Sequence, residues 1–250
     1  MLSEKELRRY DRQVMIFGKE AQEKLKKAKV AIVGLGGLGS PISIYLTAAG
    51  IGQLFLIDEQ KPELSNLNRQ ILYVEKDLDK KAKPVSAKEK LKQLNSQIKI
   101  RTYSKRICKK NIEDLLNEVD IVVDALDNFE TRYLLNEFCV KSRKPLIHAA
   151  VEGFYGQITT ILPGRTPCLN CLFPNPPKKI KFPIIGVTTG LFGALQANEV
   201  IKLITGYGDN LIGKLFVYDL LHNKAECIDI KPNPSCPVCS ETFRLRRHRI

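Results

Sequence analysis

The stretch that most constrains this chain is Lys29-Val30-Ala31-Ile32-Val33-Gly34-Leu35-Gly36-Gly37-Leu38-Gly39-Ser40-Pro41, a β-branched apolar run that breaks into closely spaced glycines. Gly34, Gly36 and Gly39 have the spacing G-x-G-x-x-G, and Ile42 to Ala49 continues as a mostly apolar, helix-like segment. A strand, a tight turn and a helix start are predicted. The first glycine lets the chain turn, the second admits a phosphate to the backbone, and the third lets helix pack on strand. The helix start then offers unpaired N–H groups to an anion. Alone, the pattern also fits a plain tight βα turn with no ligand. The continuation favours a nucleotide: Gln53-Leu54-Phe55-Leu56-Ile57 reads as a second strand and ends in Asp58, 19 residues beyond Gly39, where a ribose-binding carboxylate is expected.

From 30 to 150 the pattern alternates. Strands are predicted at 30–34, 53–58, 98–103, 119–125 and 145–150, with helices at 41–50, 84–95, 111–117 and 129–142. Such alternation implies right-handed βαβ units and a doubly wound, mostly parallel, Rossmann-like α/β sheet whose ligands bind at the carboxyl ends of the strands. Residues 1–28 read as amphipathic helix, carrying Tyr10-Asp11-Arg12-Gln13. After 151 the composition shifts to a β-rich extension, with strands at 157–162, 215–218 and 227–230 and a long helix at 188–203. Six prolines between 163 and 183 predict a surface loop there, of a length that is usually functional or mobile. The expectation is one domain over 1–250, a nucleotide-binding half (1–150) followed by a partner-binding half (151–250).

No run approaches 18 apolar residues, and the start lacks a basic, apolar, small-residue leader pattern, so a cytoplasmic protein with no membrane partner is expected. The net charge of +13 is spread over the chain, densest at 76–110 and Arg244–Arg249. That scatter favours a solvated lysine-rich surface over a nucleic-acid footprint.

Four of the seven cysteines form two C-x-x-C pairs, Cys168/Cys171 and Cys236/Cys239, separated by 64 residues. In a reducing compartment two such pairs predict a closed four-thiolate zinc site that ties distant segments together, with a redox pair as the alternative. Cys108, Cys139 and Cys227 lie in or beside apolar patterns and are expected to be buried without chemistry.

Polar residues collect where the chain leaves the predicted strand ends: Ser65-Asn66-Leu67-Asn68-Arg69-Gln70, Lys83, and Asp124-Ala125-Leu126-Asp127-Asn128. With Arg12 they supply cations for a triphosphate (Arg12, Arg69, Lys83), amides (Asn66, Asn128) and a carboxylate able to hold Mg2+ (Asp127). That set suits a nucleoside triphosphate better than a dinucleotide. Each residue alone also fits a surface ion pair of little consequence.

These motifs, with Arg9-Tyr10-Asp11-Arg12-Gln13 and Gly193-Ala194-Leu195-Gln196-Ala197, resemble the MoeB/ThiF family of ubiquitin-activating-type adenylyltransferases, in the family's order and over about residues 7–240. The resemblance implies ATP- and Mg2+-dependent adenylation of the C-terminal Gly-Gly carboxylate of a ubiquitin-like sulfur-carrier protein, in molybdopterin, thiamine or related sulfur transfer, with a separate sulfur donor protein. It implies catalytic roles for Arg12, Arg69, Lys83 and Asp127. Nucleotide contacts are implied for Gly34, Gly36, Gly37, Gly39, Asp58, Ser65, Asn66, Leu67, Asn68, Arg69, Lys83, Asp127 and Asn128, and a structural Zn2+ for Cys168, Cys171, Cys236 and Cys239. Arg12 is similar to an arginine that reaches the partner subunit's ATP, which implies a homodimer. A carboxylate attacking a phosphate needs charge neutralisation rather than a general base, in keeping with the absence of histidine from these motifs.

Two departures stand out. Gln60 occupies a place where the family often has a second acid, and residues 172–226 hold no cysteine, where relatives that form an acyl–sulfur link carry one. The reaction is therefore expected to stop at the acyl adenylate, with Lys178, Lys179 and Lys181 guiding the carrier tail. The alternatives are a tRNA-modifying adenylating dehydratase, a non-catalytic scaffold of the same fold and a nicotinamide dehydrogenase.

Overall fold

The computed structural model describes residues 1–175 and 182–247, with side chains described as far as Phe243. In chain order the elements are α1 (Glu4–Arg9), α2 (Asp11–Lys27), β1 (Lys29–Val33), α3 (Gly39–Ala49), β2 (Gln53–Ile57), α4 (Lys83–Leu94), β3 (Lys99–Tyr103), α5 (Ile112–Leu116) and β4 (Ile121–Asp124). There follow α6 (Phe129–Ser142), β5 (Leu146–Glu152), β6 (Tyr155–Ile161), α7 (Leu169–Leu172), α8 (Gly186–Thr205), β7 (Lys214–Asp219), β8 (Lys224–Asp229) and α9 (Ser240–Arg247).

The strands make one mixed α/β sheet in the order β3-β2-β1-β4-β5-β6-β7-β8. The first five are parallel and the last three antiparallel. β1 shows why the parallel part reads as unbroken apolar sequence: Val30 and Ile32 face one core cluster, Ala31 and Val33 the other, so neither face meets water. The first cluster is covered by α3, α4 and α8 through Ile42, Leu46, Leu91, Phe192 and Val200. The second is covered by α5, α6 and α7 through Ile112, Leu116, Leu135 and Leu169. Each fully buried Leu or Ile contributes about 1.5–3 kcal/mol. Strand order reverses between β1 and β4, and the crevice outside their carboxyl ends is where such sheets bind ligands.

Three expectations are corrected. The amphipathic stretch 1–28 is two helices, α1 opened by a Ser3/Glu6 capping box and α2 broken at Gly18 (φ 81°). The proline-rich 163–183 stretch is not all loop: α7 sits within it, fixing Cys168 and Cys171. Its basic part, with Lys178, Lys179 and Lys181, lies outside the described residues. Finally, Cys139 is buried as expected, but Cys108 and Cys227 are exposed. The 227–230 strand is in fact β8, an edge strand exposed along its whole length, which leaves Cys227 on the surface.

Among the described residues no helix is long and apolar enough to cross a membrane.

Candidate active site

The glycine turn joins β1 to α3 at the crevice. Gly34 has φ 92°, and a Cβ there would lie 2.5 Å from the Ala125 carbonyl oxygen; at Gly39 a Cβ would lie 2.1 Å from the Gly34 oxygen. The first glycine thus serves turn geometry and the third helix-to-strand packing, as the spacing predicted. The N–H groups of Gly36, Gly37 and Leu38 donate to no acceptor among the described residues, which leaves them for an anion. Asp58 braces the turn: Oδ2 accepts from Leu35 N–H and Oδ1 from Gln60 N–H, both at 2.8 Å. Its oxygens keep further lone pairs for ribose hydroxyls.

Lys83 opens α4 and is 1% exposed. Its ammonium donates to Gln60 Oε1 at 2.7 Å, and its N–H donates to the Gln60 carbonyl at 2.8 Å. Among the described residues it forms no ion pair. Burial, opposed by the fields of Asp58, Asp127 and Glu63, holds its pKa below the usual lysine range. Arg69 acts in the opposite sense, its charge lowering the Lys83 pKa, so Asp127, exposed on the loop after β4, and Arg69 both lie within electrostatic reach of Lys83. Arg69 is braced by the Ser65 carbonyl (2.9 Å) and Asn68 Oδ1 (3.0 Å) and also forms no ion pair among the described residues. Asn66 is buried and folds back, its Oδ1 accepting from Glu63 N–H at 3.2 Å. Asn128 caps α6 by accepting from Thr131 N–H at 2.9 Å. Both amides therefore shape the backbone with their oxygens.

Arg12 is not part of this crevice within its own subunit. Tyr10 packs on Gly50 at the far end of α3 and accepts from Asn95 Nδ2 at 2.9 Å, while Gln13 Nε2 donates to the Ala49 carbonyl at 3.1 Å. These two staples fix the motif about 16 Å, the length of α3's 11 residues, from the glycine turn and leave Arg12 exposed and unpaired among the described residues.

Some contributors escaped the sequence reading. Tyr73 donates from its hydroxyl to the Leu35 carbonyl at 3.0 Å, and burial keeps its pKa well above the usual range, so it stays a neutral donor. The backbone of Gly186, at the start of α8, packs on Asn68, and Thr189 packs on Gly37. The motifs themselves hold no histidine, but the fold brings one to Asp124. His148 on β5 is the cross-strand partner of Asp124, and its Nδ1–H donates to Asp124 Oδ2 at 2.7 Å. Burial lowers the His148 pKa further than Asp124 raises it. Asp124, though burial pushes its carboxyl up, is held below the carboxylate range by Arg132 and then by His148.

The four cysteines of the two pairs come together, all sulfurs within 4.8 Å of one another. Cys168 Sγ lies 3.7 Å from Cys236 Sγ, and Cys171 Sγ lies 3.3 Å from Cys239 Sγ, too far for disulfides of about 2.05 Å.

A glycine turn with free amides, a carboxylate at the end of β2 and unpaired cations at the switch point of a mixed Rossmann-like sheet define a nucleotide-binding α/β protein. The ThiF family matches residues 10–238, and the chain belongs to that family. It is 38% identical to the sulfur carrier protein adenylyltransferase of Thermus thermophilus, over 96% of this chain and 93% of that protein. It is 41% identical to the adenylyltransferase and sulfurtransferase MOCS3 of Anopheles gambiae over 98% of this chain, which spans 58% of that longer protein. Among solved structures, E. coli MccB with ATP superposes with a TM-score of 0.83 at 30% identity, over 92% of this chain and 74% of MccB.

Proposed function

We propose that this chain uses ATP to adenylate the C-terminal glycine carboxylate of a ubiquitin-like sulfur-carrier protein, releasing pyrophosphate. The observation that carries the reading is Lys83, a buried ammonium with no ion pair among the described residues, at the mouth of a turn whose amides are also unspent. A buried cation whose one hydrogen-bond partner among the described residues is a neutral amide favours a negative ligand, and a triphosphate supplies it.

The reaction brings two anions together, so its barrier is lowered mainly by neutralisation and alignment. The Gly36–Leu38 amides and the α3 N-terminus hold phosphate oxygens, Asp58 orients the ribose, and Lys83 and Arg69 offset charge on the phosphates. Asp127, exposed and outside any ion pair among the described residues, fits as the carboxylate that holds Mg2+. When bound, that ion acts as a Lewis acid on the phosphates. Arg12 reaches the nucleotide of the partner subunit in a homodimer, in line with its exposure and its distance from its own glycine turn. Residues 1–150 hold the nucleotide, residues 151–250 receive the carrier, and a separate protein donates sulfur. The cysteine cluster fits Zn2+: a tetrahedral site with Zn–S near 2.3 Å has sulfurs about 3.8 Å apart, close to the 3.7 and 3.3 Å seen.

The test is ATP–pyrophosphate exchange with a Gly-Gly-terminated carrier. Exchange is expected with that carrier and not with one lacking its last glycine, and Asp127→Ala is expected to abolish it while the melting profile is kept. Mixing Arg12→Ala with Asp127→Ala subunits should restore part of the activity. Exchange at the wild-type rate in Asp127→Ala, or exchange driven by tRNA or a short peptide but by no carrier, overturns the assignment.

A further inference from the structure

The buried polar cluster where the carboxyl end of β4 lies against the first half of β5 has no part in the mechanism above. Asp124, His148 and Arg132 are 0%, 2% and 6% exposed. One Asp124 oxygen takes the His148 Nδ1–H at 2.7 Å and lies 3.6 Å from Arg132 Nε; the other accepts the Leu126 N–H at 3.1 Å. Arg132 donates in turn to the Leu126 carbonyl, and to the Ala149 carbonyl at 3.1 Å. Leu126 is therefore held by both its backbone polar groups, and its carbonyl begins the peptide bond that leads into Asp127. From the other side Gln196 Nε2 bridges the carbonyls of Asp124 (2.8 Å) and Ile147 (3.1 Å), locking the end of β4 to the first half of β5.

A buried ionic cluster is a costly way to end a strand, since packed hydrophobic residues do so at no desolvation cost. What it adds is direction. We propose that Asp124, Arg132 and His148 are positioning residues that aim Asp127 at its divalent cation, and that His148 acts only through its Nδ1–H. The inference rests on the reading of Asp127 given above.

The competing role for such a pair is a general-base dyad working through Nε2. That nitrogen has no hydrogen-bond partner among the described residues, and the Phe173 ring lies 6.3 Å from the imidazole centre. A carboxylate nucleophile, moreover, has no proton to give up. The cluster acts one residue behind the ligand, through both backbone groups of Leu126, where groups that hold a metal ligand directly change metal affinity about 10–100-fold.

Three substitutions separate the roles. His148→Asn keeps a donor near the Nδ1 position, His148→Gln moves the donor toward Nε2, and His148→Leu removes both. ATP affinity is measured by calorimetry in Mg2+ and in EDTA, beside exchange activity. His148→Asn should keep the Mg2+-dependent tightening and most of the exchange. His148→Leu should lose about tenfold of that tightening while its affinity in EDTA holds, and His148→Gln, which retains a polar side chain, serves if His148→Leu does not fold. Exchange lost in His148→Asn with Mg2+ tightening intact makes His148 a base and overturns the inference. So does full tightening in both His148→Leu and His148→Gln. Tightening unaffected by Asp127→Ala refutes the Asp127 reading instead, so the two failures are distinct.

Discussion

Replacing Lys83 with Met should move stability and nucleotide affinity in opposite directions. Lys83 is 1% exposed, and among the described residues its ammonium's only side-chain partner is Gln60 Oε1 at 2.7 Å. Holding an ammonium out of water costs several kcal/mol, offset here by one charged hydrogen bond of about 1.5–3 kcal/mol and by the fields of Asp58, Asp127 and Glu63. Met has similar length and no charge to desolvate, so the variant should range from unchanged to about 2 kcal/mol more stable. For a chain of 250 residues that is a rise in Tm of roughly 0–8 °C, at 2–4 °C per kcal/mol. The same change deletes a charged hydrogen bond to phosphate, and about 1.5–3 kcal/mol is roughly a tenfold to 150-fold loss of ATP affinity at 1.4 kcal/mol per decade. Scanning calorimetry and titration calorimetry on one preparation measure both. A Tm lowered by more than a few degrees with ATP affinity unchanged would make Lys83 a structural residue and refute the reasoning.

Because burial lowers the Lys83 pKa and bound phosphate raises it, ATP affinity should be flat below the free-protein value. It should then fall by up to tenfold per pH unit as pH rises through that value toward the bound one; binding at a pH between the two values should show proton uptake, and Lys83→Met should lack this limb. Purified protein should carry about one zinc per chain, and chelation should lower Tm and free α7 while leaving ATP affinity within about twofold; less than half an equivalent in folded protein counts against the site. Cys108, exposed beside Arg106, Lys109 and Lys110, and Cys227 should alkylate in the native protein, and Cys139, whose thiol burial pushes up, only after unfolding. Mass spectrometry after ATP, Mg2+ and carrier should show adenylated carrier without a thiol-sensitive adduct; an adduct at Cys108 would show that the reaction continues onto the protein.

The parallel half of the fold was readable in the chain because its signals are local and reinforce one another. A strand buried on both faces must be apolar throughout, and Gly34 and Gly39 have no sterically permitted substitute without movement of Ala125 or Gly34 itself. The break at Gly18 was harder to see, since a single glycine in an amphipathic helix is tolerated until tertiary packing selects its positive φ. The exposure of Cys227 was hidden for a different reason. Alternating apolar residues look the same in an edge strand and a central one, and only the sheet order places β8 at the margin.

The candidate site divides along the same line. Residues proposed to meet an anion directly, such as Lys83 and Arg69, announce themselves by type and by position after a strand. Those that hold them in place do so through partners distant in sequence: Tyr73 to Leu35 across 38 residues, Arg132 to Ala149 across 17, and His148 to Asp124 across 24. His148 looked like one more residue of an apolar strand because its partner is set by register, the pairing of Asp124 at the end of β4 with His148 within β5. A shift of one residue in that register would turn His148 to the opposite face of the sheet. The Gln196 bridge and the Arg132 contacts, which lock the end of β4 against β5, therefore preserve the geometry of the Asp127 loop as much as the stability of the sheet.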